Sequence, residues 1–502
     1  MRLRTRAGLG AIATGIATTL LTATASAAPA PGASGAGDPY YPYAGNGGYD
    51  VAHYDIRLTY QPATDQLAGT TTILATTTQE LSSFDLDFGL AVNSIRVDNA
   101  PAAFRTERPG EVVVTPAKPL AKGKTITVVV NYADTPSKVV IDGYTAWKKT
   151  PDGAIAVDEP QNAQWWFPAN DHPTDKATYD IAVEVPDNVA ALSNGTLVRR
   201  TKQRAGWTRW NWRSTQPQAT YLATLEVGGF EVNQQTTPDG KPFITAYDQL
   251  VPAESLDAAK ASVERTPEIN EFLSSQFGPY PFEAQGGVVS TGLGFALEAQ
   301  TRPVYSHKFF TSGSNTSVIA HENAHQWFGD AVSLGRWSDI WLNEGFATYA
   351  EYLWSEHEGE GTPAELAQYV YDSHPADDDL WKVLPGDPGA ANQFDDAVYD
   401  RGALALQALR TAVGDEAFFT ILRTWVAEQK GGDARISEFI ALAEKISGKP
   451  LQDLFTTWLF TTGKPAVGPN GARTFSALSI PESYREIQRT HAQLAASLSS
   501  TA

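Results

Sequence analysis

A multidomain α+β chain, with an all-β first half and a mainly helical second half, is predicted by three observations. The 502 residues are 42% hydrophobic, enough for two to four domains with their own packed cores. Up to about residue 236 apolar residues recur with a period of two, as in half-buried strands. Beyond that point the helical period takes over.

The β reading rests on runs such as Tyr54-Asp55-Ile56-Arg57-Leu58-Thr59-Tyr60 and Ile126-Thr127-Val128-Val129-Val130-Asn131-Tyr132, which alternate apolar and polar residues. Pro, Gly and Asp separate such runs at short intervals, as turns require. A β domain over residues 49–236 is expected. After it, a short strand at Phe243–Tyr247 leads into helices at Leu256–Phe277, Ser317–Phe328, Ile340–Trp354 and Arg401–Val413, the last stopped by Gly414. Further helices are expected at Phe418–Gln429 and Ser437–Ile446, giving a mainly helical domain over 237–465. Residues 466–502 form a Ser- and Ala-rich tail with room for one short helix at Tyr484–Leu498.

The N-terminus reads Met-Arg-Leu-Arg-Thr-Arg, then an apolar stretch from Leu9 to Leu21, then Ala25-Ser26-Ala27, the pattern of a secretory signal over 1–27. The apolar stretch is shorter than the ~20 residues of a bilayer span, so a secreted, extracellular protein without a membrane anchor is expected. Residues 28–48, rich in Ala, Pro, Gly and Ser, read as a flexible lead-in. With no cysteine in the chain, no disulfide can staple the exported fold. A net charge of −19 with no basic cluster argues against a nucleic-acid partner.

His321-Glu322-Asn323-Ala324-His325 is an H-E-x-x-H sequence inside a predicted helix. Residues four apart share a helix face, so both imidazoles can reach one ion while Glu322 lies beside them without being forced to ligate. A catalytic zinc commonly takes three protein ligands and leaves one position open, and two histidines with a glutamate are one such set. Glu344, on the next predicted helix with eighteen residues between it and His325, is the candidate third ligand. The run Asp377-Asp378-Asp379 reads as a solvated acidic loop.

With these residues in place the sequence resembles the aminopeptidase N-like gluzincins, in which H-E-x-x-H precedes the N-E of a third-ligand helix, here Asn343-Glu344. Glu159 to Tyr179, with Trp166-Phe167-Pro168, looks like that family's segment at the edge of its β domain. Phe277-Gly278-Pro279-Tyr280-Pro281-Phe282 looks like its F-G-x-Y-P-F element, and Tyr399-Asp400-Arg401-Gly402 resembles its Y-x-K-G signature with Arg for Lys. The likeness spans roughly residues 50 to 465. It implies a saddle-like β domain followed by a thermolysin-like domain, with one zinc per chain.

The resemblance further implies a zinc aminopeptidase acting on peptides with a free N-terminus, which together with the signal pattern makes it a secreted one; a monomer is expected. Glu322 would be the general base toward a zinc-activated water, and Tyr399 would donate to the oxyanion. Glu298 and Glu159 would hold the substrate's α-ammonium group. Two departures stand out. The family's G-x-M-E-N motif reads Phe295-Ala296-Leu297-Glu298-Ala299 here, keeping only the glutamate, and only thirty-seven residues follow Pro465, so a more open cleft is expected. Endopeptidase action, or a non-catalytic binding role for the β domain, are the competing expectations.

Overall fold

The computed structural model describes residues 28–471, 480–481 and 483–498. The predicted signal segment, 1–27, lies outside the described residues. Mixed α+β architecture follows the predicted order: a large β-sheet region first, then a helical region with a smaller sheet at its start.

An eleven-stranded sheet dominates the first region. At its heart lie β1 (Tyr49–Gln61), β2 (Gln66–Thr77), β3 (Thr125–Asp134), β4 (Ala177–Pro186) and β5 (Trp207–Gln218), in the spatial order β3-β2-β1-β4-β5. All neighbours among these five are antiparallel except β1 and β4, which run parallel. Alternation in β1 sends Tyr54, Ile56, Leu58 and Tyr60 into the core and turns Arg57 outward, as a period of two dictates. A separate antiparallel sheet of four short strands contains Ala154–Ala156, whose chain continues directly to Asp158 and Glu159.

The second region opens with a five-stranded sheet over 230–306, in place of the single short strand expected there. Ala296–Leu297 is its edge strand, paired antiparallel to Val304–Ser306, and delivers Glu298. The predicted helix Leu256–Phe277 is two helices, α1 (Ala253–Val263) and α2 (Thr266–Phe277). Pro267 divides them: its ring clashes with the carbonyl four residues earlier and it has no N–H to give, so it suits only a first turn.

The lead-in departs from expectation. Residues 28–48 are a packed strap, with Ala30–Pro31 pairing alongside Leu81 and Ser83. Asp38 is buried and accepts backbone N–H bonds from Trp337 at 2.7 Å and Tyr40 at 2.8 Å, while Tyr41 donates its hydroxyl to Gln393 at 2.8 Å. Its composition suggested disorder because small residues bury little surface. The strap is held instead by polar groups that satisfy backbone donors in the second region.

The two regions meet along a polar seam. The Lys176 ammonium donates to the carbonyls of Asp330 and Ala331, and Asn194 and Arg302 exchange side-chain bonds with backbone carbonyls across the boundary.

Candidate active site

The H-E-x-x-H residues sit on α3 (Thr316–Ala324), whose first turn is capped by the Asn315 side chain accepting from Val318 N–H at 3.0 Å. Glu344 lies in the first turn of α4 (Trp341–Glu358), which packs against α3. Glu344 Oε2 stands 3.3 Å from His321 Nε2 and 3.4 Å from His325 Nε2. Donors bonded at about 2.0–2.1 Å around a tetrahedral ion are about 3.3–3.4 Å apart, so Glu344 already stands at the spacing from both histidines that zinc requires.

The far side of each imidazole is fixed. His321 Nδ1 faces Glu351 Oε1 at 2.7 Å, and His325 Nδ1 faces the Phe328 carbonyl at 3.0 Å. Both partners are acceptors, so they hold the proton on Nδ1 and leave Nε2 as the ligating lone pair. Burial alone would lower the His321 pKa, but Glu344 and Glu351 raise it to about 9. Burial likewise opposes ionisation of Glu344, yet the two histidines hold its carboxyl at about 2. Two imidazole nitrogens and a carboxylate oxygen converging in a buried site are a donor set that suits a metal.

Tyr399 comes from a π-helical turn, Ala397–Arg401, that precedes α5 (Gly402–Val413). Its ring stacks on His321 with centroids 6.0 Å apart. The placement depends on two glycines: a Cβ on Gly402 would come within 2.7 Å of the Trp341 ring, and one on Gly345 within 2.5 Å of the same indole. Trp341 Nε1 also donates to the Gly402 carbonyl at 3.1 Å. α4 and α5 therefore cross closely enough to set Tyr399 beside the ligands. Arg401, standing where the resembling signature has Lys, turns away from the site and donates to backbone carbonyls including those of Trp458 and Val383.

Glu298 faces the same concavity, which is lined also by Glu159, Glu322, His321, His325, Glu344 and Tyr399. Gln326, next to His325, donates to the Glu298 carbonyl at 2.8 Å and accepts from Thr301 N–H at 2.8 Å, tying the Glu298 loop to the end of α3. Thr301 itself sits at φ 71°, a left-handed conformation that this bond and one from Gly195 N–H hold in place. Tyr221 donates to Glu298 Oε1 at 3.1 Å.

Burial raises the carboxyls of Glu298 and Glu159, with neighbouring carboxylates adding to the shift in each. Burial also pushes Glu322 up to about 8 against the pull of both histidines. The concavity continues into a cleft of about 700 Å³ whose lining includes Asp158, Asp378, Asp379, Asp395 and Asp396. The acidic run 377–379 is thus partly a cleft wall rather than only a solvated loop.

All seven residues singled out in the sequence are brought to this one place. Glu351 and Tyr221 were missed. Glu351 carried a signal, since it lies two helical turns after Glu344 and therefore on the same face of α4.

Comparison with known proteins gives the same answer from another direction. The Peptidase M1 N-terminal domain model matches residues 51–222 and the Peptidase family M1 domain model matches 301–458. An M1 zinc metallopeptidase from Deinococcus radiodurans is 30% identical and superposes with a TM-score of 0.76, over 89% of this chain and 99% of that one. The chain belongs to peptidase family M1. The same Deinococcus protein has been solved as a mutant bound to a Tyr-Ser-Ala substrate, again with a TM-score of 0.76 and 30% identity over 89% of this chain and 99% of that one. Glutamyl aminopeptidase of Rattus norvegicus is 29% identical over 65% of this chain, and Aminopeptidase M1 of Arabidopsis thaliana is 28% identical over 62%. The chain spans little more than a third of these curated relatives, 36% and 37% of their lengths. As in other M1 zinc metallopeptidases, the metal suited to His321, His325 and Glu344 is zinc.

Proposed function

We propose that the protein is a secreted zinc aminopeptidase that removes single residues from the free N-termini of peptides. The observation that carries the reading is the division of the concavity. On one side stand the metal ligands; on the other stand Glu298 and Glu159, buried carboxyls that feel the charge of Glu344 as well as that of His325. A substrate α-ammonium is the cation that would relieve this crowding. Held there, it fixes the first peptide bond at a set distance from the metal.

Zinc, when bound, supplies Lewis-acid polarisation of the scissile carbonyl and makes water a stronger acid. The remaining work falls to side chains. Glu322 lines the concavity beside both ligand histidines, where its carboxylate can take a proton from the attacking water and pass it to the leaving amine. Burial and the surrounding carboxylates drive the Tyr399 phenol well above its ordinary pKa. Tyr399 therefore keeps its proton and can donate a hydrogen bond to the developing oxyanion. Tyr399→Phe should lower turnover by roughly 10²- to 10³-fold with zinc content unchanged.

The deciding experiment compares a free-amine aminoacyl amide with its N-acetylated counterpart. Strong preference for the free amine is expected; equal cleavage of both would overturn the exopeptidase reading in favour of endopeptidase action. Export is supported by the basic start, apolar stretch and Ala25-Ser26-Ala27 of the sequence. N-terminal sequencing of protein recovered from culture medium should begin at Ala28.

A further inference from the structure

The helix α6 (Tyr484–Leu498) belongs, by sequence, to a tail with no assigned part in the chemistry, yet it docks beside the metal helix. Two of its side chains bond around the start of α3. Glu486 Oε1 accepts from Ser317 N–H at 3.1 Å, and Asn315 Nδ2, from the residue that caps α3, donates to Thr490 Oγ1 at 2.9 Å. His491, one residue on, points further in. Its Nε2 lies 3.0 Å from Glu351 Oε1, and its Nδ1 lies 3.2 Å from Asp400 Oδ1.

Each of those carboxylates adjoins a working residue. Glu351 is the group that orients His321, through the 2.7 Å bond to Nδ1, and it also accepts from Ser317 Oγ. Asp400 follows Tyr399 in the π-helical turn. The His491 ring sits 6.3 Å from the His321 ring and 6.0 Å from the Tyr399 ring, centroid to centroid. His491 is itself buried, and its two ring nitrogens meet two carboxylates on opposite sides. Only a ring with donors at both ends can bridge them.

We propose that the C-terminal helix is a structural part of the metal centre and that His491 is a positioning residue, bridging Glu351 behind the ligand His321 to Asp400 beside Tyr399. The bridge sets two things at once. It fixes the carboxylate that orients a metal ligand, and it ties the turn carrying the oxyanion donor to that same carboxylate. Outer-shell partners of metal-bound histidines commonly change metal affinity or activity by 10- to 100-fold when removed.

The test uses the full chain. For His491→Ala, the zinc dissociation constant measured by chelator competition should rise about 10- to 100-fold. On an aminoacyl amide, kcat should fall about tenfold with KM within about twofold, since His491 touches no substrate. His491→Gln, whose amide nitrogen can donate to Glu351 but not also to Asp400 on the opposite side, should recover the zinc affinity only in part. Thr490→Val removes the bond to Asn315 but keeps the bridge, and should lower thermal stability without changing zinc affinity. Zinc affinity within twofold of wild type in His491→Ala would overturn the proposal, as would equal loss of zinc affinity in Thr490→Val, which would make the helix mere packing. If His491→Ala does not fold, His491→Asn, too short to span both carboxylates, is measured in its place with the same expectation. The kinetic arm rests on the peptidase reading. If wild-type protein cleaves no amide, that reading fails, whereas the zinc measurement still decides the role of His491.

Discussion

In the β domain Glu111, Asp175 and Glu226 are buried with their carboxyls pushed up to about 8, whereas in the metal centre Glu344 and Glu351, no less buried, are held at about 2. Burial raises all five, because removing a carboxylate from water penalises its charged form. The difference is the partner. Glu344 is hydrogen-bonded to His325 and His321, and Glu351 to His491 and His321, while the β-domain groups have hydrogen bonds from neutral donors, the partly exposed Arg108 beside Glu111, or the Arg302 charge near Glu226 without a bond to it. Glu322 and Glu298 sit within the centre yet behave like the β-domain group, their pKa values raised. The centre therefore contains two kinds of carboxyl: those hydrogen-bonded to histidines, kept anionic for a metal, and those near the histidines without such a bond, whose pKa values burial raises.

The largest effect expected from this division is at Glu322. Glu322→Gln should lower kcat by on the order of 10²- to 10⁴-fold while zinc stays stoichiometric by metal analysis and the thermal midpoint does not fall. An amide is nearly isosteric with a carboxyl, so the fold and the metal ligands are left in place. Loss of zinc in this variant would move Glu322 into the ligand-side set and dissolve the division.

The two kinds of carboxyl also differ in how far the sequence reveals them. His321 and His325 are legible because helix geometry alone puts residues four apart on one face. Glu351 follows the same rule from Glu344. Nothing local links position 491 to position 351, or Asp38 to the backbone of Trp337; such contacts come from docking over long sequence separations. Composition misled at the strap, where small residues were taken as a sign of flexibility. The division of Leu256–Phe277 at Pro267 was legible in principle from the proline itself. The π-helical turn under Tyr399 was not, because its register depends on the Gly345–Gly402 crossing.

A second effect is a pH dependence of opposite sign in the metal-bound and metal-free protein. His321 is raised to about 9 in the metal-free centre, so below that pH zinc must displace its proton. Zinc affinity should climb as pH rises from about 6 to about 9, by about tenfold per unit for each proton displaced. A histidine with a raised folded pKa stabilises fully below its unfolded value, and that stabilisation is lost as pH rises through the folded value. The metal-free protein should therefore weaken over the same range. Thermal melts at fixed free zinc, with and without metal, should show a gap that widens with pH. A constant gap would mean that the ligands are not holding protons that zinc has to displace.

The smallest effect tests the β-domain side alone. Glu111 Oε2 accepts from Arg108 at 2.6 Å, Oε1 has no hydrogen-bond partner, and burial pushes the carboxyl up to about 8. A carboxyl whose folded pKa is raised binds its proton more tightly in the native state than in the unfolded one, so its contribution is greatest below about pH 4 and declines as pH rises toward about 8. Glu111→Gln removes that titration while keeping the shape of the protonated group. The variant should melt with wild type near about pH 5 and a few degrees above it near about pH 9, with kcat and zinc affinity unchanged. Equal melting at both pH values would show that Arg108 neutralises Glu111 as fully as the histidines neutralise Glu344, and the contrast between the two halves would then rest on charge pairing in both.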